Sequence, residues 1–285
     1  MTAINSTRRQ FLKSTLGLGA GCATLESWLA RAAETPEKIP VGLQLWAVRG
    51  EFTRDVPGTL KTVASFGYQG VEFWGYAGTP NVFQEYSAQE LRKMLDDCGL
   101  QCCGIHLQVK AMEAGQVEQT VVNSRILGTH LLNVAAAKER MGSEEDIKSF
   151  ATFLNEKLVE LRPHHMRVGY HSHPFDFEKV NDRFPWEILF RQTDPEVNMQ
   201  IDVGNILTGG GDPVALLKEF PGRTRSIHLK VHGEKTFESA YYQEVFRLCE
   251  TTSKTEWYIV EETGEGGLGF YLPRKALEVL RGLGK

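Results

Sequence analysis

Val197-Asn198-Met199-Gln200-Ile201-Asp202 decides the fold: a short, largely apolar run that stops on a carboxylate. The pattern returns in Thr224-Arg225-Ser226-Ile227-His228 and in Glu256-Trp257-Tyr258-Ile259-Val260-Glu261. A fourth run, Met166-Arg167-Val168-Gly169-Tyr170-His171-Ser172-His173, ends on two imidazoles. Runs of this length between turn signals read as buried strands. One polar residue where a strand meets solvent is ordinary. A series of them points to parallel strands whose C-terminal ends share one rim, where the loops of a (β/α)₈ barrel build active sites. Carboxylates and imidazoles converging there describe a divalent-metal pocket.

Working outward, the strand–loop–helix pattern repeats along the whole chain after the first forty residues. Strands are predicted at Val41–Trp46, Gly70–Trp74, Gln101–His106, Thr129–Val134, Arg167–His171, Asn198–Asp202, Arg225–Leu229 and Glu256–Glu261. Apolar residues at three-to-four spacing predict helices at Val56–Phe66, Ser87–Cys98, Gln116–Leu127, Glu144–Leu161, Pro213–Phe220, Glu238–Cys249 and Leu272–Leu283. The helix after the fifth strand, around Trp186–Arg191, has no clear pattern. Ser87 followed by Glu90 is a capping box, Gly99 a stop, and Asp212-Pro213 a cap with proline in the first turn. Alternation of this kind implies a parallel sheet. With no dinucleotide glycine fingerprint, the expected class is α/β, a single-domain (β/α)₈ TIM barrel over residues 39–285, preceded by a polar linker at 34–38.

The first 33 residues read as a leader. Ser6-Thr7-Arg8-Arg9-Gln10-Phe11-Leu12-Lys13 is a twin-arginine motif, followed by a Gly/Ala/Leu stretch and Ala30-Arg31-Ala32 as a cleavage site. This predicts export of the folded chain through the Tat translocon to the periplasm, with no stable membrane anchor. Of the remaining cysteines, adjacent Cys102 and Cys103 point to opposite faces of a strand and cannot share a zinc. A disulfide from Cys98 to one of them is geometrically allowed, but buried free thiols are the favoured reading. The net charge of −4 over 285 residues argues against nucleic acid as a partner. A homo-oligomer stays open.

Asp202, His228 and Glu261 end consecutive strands and are the candidate metal ligands, with His171 as the fourth. Glu261 is preferred to Glu262 because only one of two adjacent strand residues faces the pocket. His171 and His173 share a face; one would complete the metal shell and the other serve as acid or base. Lys230, two residues after His228, points the same way and would bind or polarise a substrate oxygen. Gln44, Glu72, Trp74, His106 and Asn133, near the ends of the early strands, are candidate sugar-binding groups. The expected cofactor is a divalent ion, Mn²⁺ first, with Zn²⁺, Co²⁺ and Mg²⁺ as alternatives.

These segments carry a resemblance. Gly169-Tyr170-His171-Ser172-His173-Pro174-Phe175-Asp176-Phe177-Glu178 is similar to the "YHNHDFEF" signature of the xylose isomerase-like barrels, in their sugar phosphate isomerase/epimerase branch. Ile201-Asp202-Val203-Gly204-Asn205, Ile227-His228-Leu229-Lys230 and Ile259-Val260-Glu261 add to it. The resemblance implies a metal held by Asp202, His228 and Glu261. It also exposes a departure: family epimerases place a glutamate at the end of strand five, where this chain has His171. Another is Val231, where an aspartate is frequent. The sequence reading is therefore a metal-dependent isomerase or epimerase acting on a non-phosphorylated, keto-type sugar by proton abstraction next to a carbonyl, through a metal-stabilised enediolate. Phosphate is disfavoured by export and by the carboxylate in Gly264-Glu265-Gly266-Gly267. The runner-up is a lyase or hydratase on 3-keto-glycosides or glycals, and a third reading is a non-catalytic periplasmic sugar-binding protein.

Overall fold

The computed structural model describes residues 38–263 and 269–285; the expected leader, most of the expected linker and residues 264–268 lie outside the described residues. Eight strands pair in parallel: β1 (Val41–Gln44), β2 (Gly70–Tyr76), β3 (Gln101–Leu107), β4 (Leu131–Val134), β5 (Arg167–His171), β6 (Asn198–Asp202), β7 (Ser226–Leu229) and β8 (Trp257–Val260). Each lies beside its sequence neighbours, and β8 closes on β1, so the sheet is a barrel without edges. The expected class is what forms.

Two apolar zones hold it. Alternate strand residues such as Val71, Phe73, Ile105, Tyr170 and Ile201 pack outward against the helices, in one continuous core. Cys103, Leu131, Trp257 and Ile259 form a separate small cluster. Cys102 belongs to the large core and Cys103 to the small one, and both are free thiols.

Element boundaries depart from the sequence reading where side chains intervene. The first strand stops at Gln44, because its Oε1 accepts the Trp46 N–H at 3.1 Å and turns Leu45–Val48 into a 3₁₀ helix. Ser87 caps Ala88–Cys98 in a full capping box, and Gly99 ends that helix in a left-handed conformation. The undefined stretch after β5 becomes a helix at Pro185–Phe190, whose first turn proline favours. A hairpin of Asn81–Phe83 with Tyr86–Ser87, which periodicity did not predict, follows β2. Among the described residues no helix is long and apolar enough to cross a membrane.

Candidate metal centre

The period of two sends Asn198, Gln200 and Asp202 of β6 and Ser226 and His228 of β7 to one face, the barrel interior. Asp202 lies opposite His228 in the β6–β7 register, while His171 pairs with Gln200 and Ile259 with His228. Glu261, two residues beyond Ile259, therefore faces inward just above β8. The result is a cluster. His171, Asp202, His228 and Glu261 each offer one ligand atom, and these atoms lie within 4.8 Å of one another. All four residues are buried.

Asp202 does two jobs. Its Oδ1 accepts the Asn205 N–H at 2.7 Å and caps a short helix, Val203–Thr208. The cap uses one oxygen of the carboxylate and leaves the other for the cluster. Oδ2 is buried without a hydrogen-bond partner, 4.0 Å from His228 Nδ1, which is costly unless something cationic completes it. Gly204 matters for space: a Cβ there would come within 2.8 Å of Lys230 Cγ, so glycine makes room for the lysine stem.

The charges follow from burial and partners. His228 lies between two carboxylates, with Nδ1 2.9 Å from Glu261 and Nε2 2.7 Å from Glu72. Burial opposes its charge, but the Glu72 charge and the hydrogen bonds to Glu261 and Glu72 raise its pKa to about 10. Burial also opposes the charge of Glu261, yet His228 and Lys230 bring that carboxyl down to about 2. Burial lifts Asp202 to about 7 against the pull of Lys230, and the Glu261 charge adds to the rise. His171 is held well below the usual imidazole range by burial and by charge on His228.

His171 Nε2 lies 3.9 Å from Glu261, and its Nδ1 is buried without a partner. His173 stays outside the cluster. Its ring meets His171 edge-on at 5.0 Å and stacks on Phe175 at 5.1 Å. Burial lowers its pKa to about 4, so the ring is neutral. Lys230 Nζ reaches Asn205 Oδ1 at 3.4 Å and stays charged beside Asp202, Glu261 and Glu262. Glu262 turns away and accepts the Val231 N–H.

The early-strand residues divide. Trp74 packs edge-on against Trp46 at 5.7 Å, and Trp46 is 42% exposed, so an aromatic wall stands at the C-terminal ends of β1 and β2. His106 flanks the cluster, 4.6 Å from His171 and stacked on His228 at 5.1 Å. Gln44, Glu72 and Asn133 do not fit their assignment as sugar-binding groups. All three are fully enclosed. Gln44 is spent on Trp46 and Glu72, and Asn133 Oδ1 accepts Asn198 Nδ2 at 2.8 Å. Large polar residues at inward-facing strand positions can lie wholly inside the barrel, and a sequence does not show that depth.

Two contributors escaped the sequence reading. Gln200 joins β6 to β2, β3 and β7 by bonds to Glu72, His106 and Ser226. Its signal was available: it stands two residues before Asp202, on the same face. Ser172 Oγ accepts the Asp202 N–H at 2.8 Å and steadies that residue's backbone. No local pattern marks it.

Fold and site together define a barrel whose strand ends gather imidazoles and carboxylates. The chain belongs to the xylose isomerase-like TIM barrel family, whose model matches residues 60–265. It is similar in structure to a sugar phosphate isomerase/epimerase from Parabacteroides distasonis, at 21% identity and a TM-score of 0.74 over 87% of this chain and 97% of that one. The 3-keto-D-glucoside 4-epimerase of E. coli superposes with a TM-score of 0.63 at 14% identity, over 86% of this chain and 99% of that one. An inosose dehydratase from Clostridium tetani is 29% identical over 89 residues, which is 31% of this chain and 29% of that protein.

Proposed function

We propose that this chain is a divalent-metal-dependent enzyme that removes a proton next to the carbonyl of a non-phosphorylated, keto-type sugar, as an isomerase or epimerase. One observation carries the reading: four buried donors within 4.8 Å at the strand ends. The donor set fits a metal. Asp202 Oδ2 has no hydrogen-bond partner, and a mix of imidazole and carboxylate suits Mn²⁺, Zn²⁺ or Co²⁺, with Mn²⁺ our first choice. His228 would offer Nδ1, since Glu72 occupies Nε2, and His171 would offer Nε2, its nitrogen near Glu261. A bound divalent ion supplies Lewis acidity to adjacent carbonyl and hydroxyl oxygens, acidifying the C–H between them.

The chain's own residues do the rest. Neutral His173 accepts the proton, held by the Phe175 stack and by its backbone N–H bond to Asp176 Oδ2 at 2.7 Å. Lys230 places a positive charge where a substrate oxygen gains negative charge. The Trp46–Trp74 wall gives the ring an apolar face.

A second reading has its own support. His171 stands where a two-glutamate proton shuttle would need a carboxylate, so elimination or hydration on a 3-keto-glycoside or glycal, which needs a single base, suits the pocket. Both readings place the mature enzyme in the periplasm after Tat export. The test is turnover in deuterated water on a panel of aldoses, ketoses and 3-keto-glycosides. Deuterium at the carbon next to the carbonyl with retained composition marks isomerisation or epimerisation; loss of the aglycone marks the lyase. Neither exchange nor turnover on any of them would leave a binding protein.

A further inference from the structure

Glu72 is a carboxylate with no access to water, and four side-chain donors surround it. Oε2 accepts from Gln44 Nε2 at 2.7 Å and His228 Nε2 at 2.7 Å, and lies 3.1 Å from His106 Nε2. Oε1 accepts from Gln200 Nε2 at 2.8 Å. Space is made for it: a Cβ on Gly104 would stand 2.5 Å from Oε1. With Gln44 and Gln200 amide nitrogens and two imidazole nitrogens converging on its two oxygens, the carboxylate only accepts.

The hydrogen bonds fix which nitrogen carries which proton. Gln200 donates through its amide nitrogen to Glu72 and Ser226, so its Oε1 can only accept, and His106 Nε2, 2.7 Å away, must be the donor. His228 Nε2 faces the same carboxylate and must also donate. We infer that Glu72 is a positioning residue that orients two imidazoles at once, turning His228 Nδ1 toward Asp202 and Glu261 and holding the His106 proton on Nε2. Its consequence for catalysis rests on the metal-centre reading above; its geometry does not. A carboxylate behind a ligating histidine fixes tautomer and ring orientation. Here one carboxylate on β2 does so for a ligand on β7 and for the unligated imidazole on β3. A glutamine in its place would turn an amide N–H₂ toward at least one of these donors and lose that bond.

The test uses Glu72→Gln in the mature chain, with side-chain ¹⁵N spectra of histidine-labelled protein and Co²⁺ titration followed by visible absorption. With EDTA present, wild type should show Nε2–H signals from both His106 and His228. The variant should keep its circular dichroism, lose or shift both signals, and bind Co²⁺ roughly 10–100-fold more weakly with an altered spectrum. Unchanged signals, or wild-type Co²⁺ affinity and spectrum in the variant, would overturn the assignment. Should Glu72→Gln fail to fold, Gly104→Ala decides: it keeps the charge but displaces Oε1, and the same losses are expected, with wild-type behaviour again overturning the role. Wild type that shows both Nε2–H signals yet takes up no Co²⁺ would remove the metal reading and leave the positioning role standing.

Discussion

Asp202→Asn should make the protein more stable without metal and remove its response to metal. The buried carboxyl is raised from 3.8 to about 7, a shift of about three units and so roughly 4 kcal/mol against the ionised form. The sign follows. Below pH 4 the group is protonated folded or unfolded and adds nothing; between about pH 4 and 7 wild type loses stability as pH rises; above pH 7 the full penalty stands. Asparagine does not titrate, and its carbonyl keeps the 2.7 Å cap on Asn205. Its amide nitrogen replaces an oxygen that has no hydrogen-bond partner, an adjustment of about 1 kcal/mol. A net gain near 3 kcal/mol at pH 8 raises Tm by roughly 6–12 °C, vanishing by pH 4. Saturating Mn²⁺ should reverse the order, because a ligand at a thousand times its Kd stabilises wild type by about 4 kcal/mol. Thermal melts at pH 4 and 8, with EDTA or Mn²⁺, read all of it. A variant less stable than wild type at pH 8 in EDTA, or one that Mn²⁺ stabilises as much as wild type, would refute the reasoning.

Other outcomes follow from the same geometry. Metal uptake at pH 8 should release about one proton, since His228, raised to about 10 by its two carboxylates, must lose one to ligate; titration calorimetry in buffers of different ionisation enthalpy measures it, and affinity should climb from pH 6 to 9. Gly169→Ala should cost about 1–3 kcal/mol, because the new Cβ would stand 2.6 Å from the Asn198 carbonyl oxygen and 2.3 Å from Asn133 Oδ1; urea denaturation at unchanged slope checks it. Arg223→Met should cost roughly 2–4 kcal/mol by stranding the Phe190 and Asp194 carbonyls that the guanidinium holds at 2.6 and 2.9 Å, again read by urea denaturation. Replacing Arg8 and Arg9 by lysine should leave the chain in the cytoplasm, and fractionation that still finds it in the periplasm would end the Tat proposal.

The sequence by itself determined which way the side chains near the strand ends face. Strand side chains alternate strictly, so runs stopping on Asp202, His228 and Glu261 committed those residues to one interior face whatever the details above them. Caps were legible for the same local reason: Ser87 with Glu90 needs only three residues to close its box. What only the tertiary structure decided is depth and partnership. Glu72 and His228 stand 156 positions apart and meet because the barrel closes, so nothing near Glu72 marks it as a partner of His228 rather than a sugar-binding group. The choice of His171 over His173 is of the same kind. Two residues apart they share a face if extended, but β5 ends at His171 and the chain turns into Pro174–Phe177, placing one ring in the cluster and the other against Phe175. Periodicity fixes direction along a strand; only closure of the barrel fixes which side chains meet.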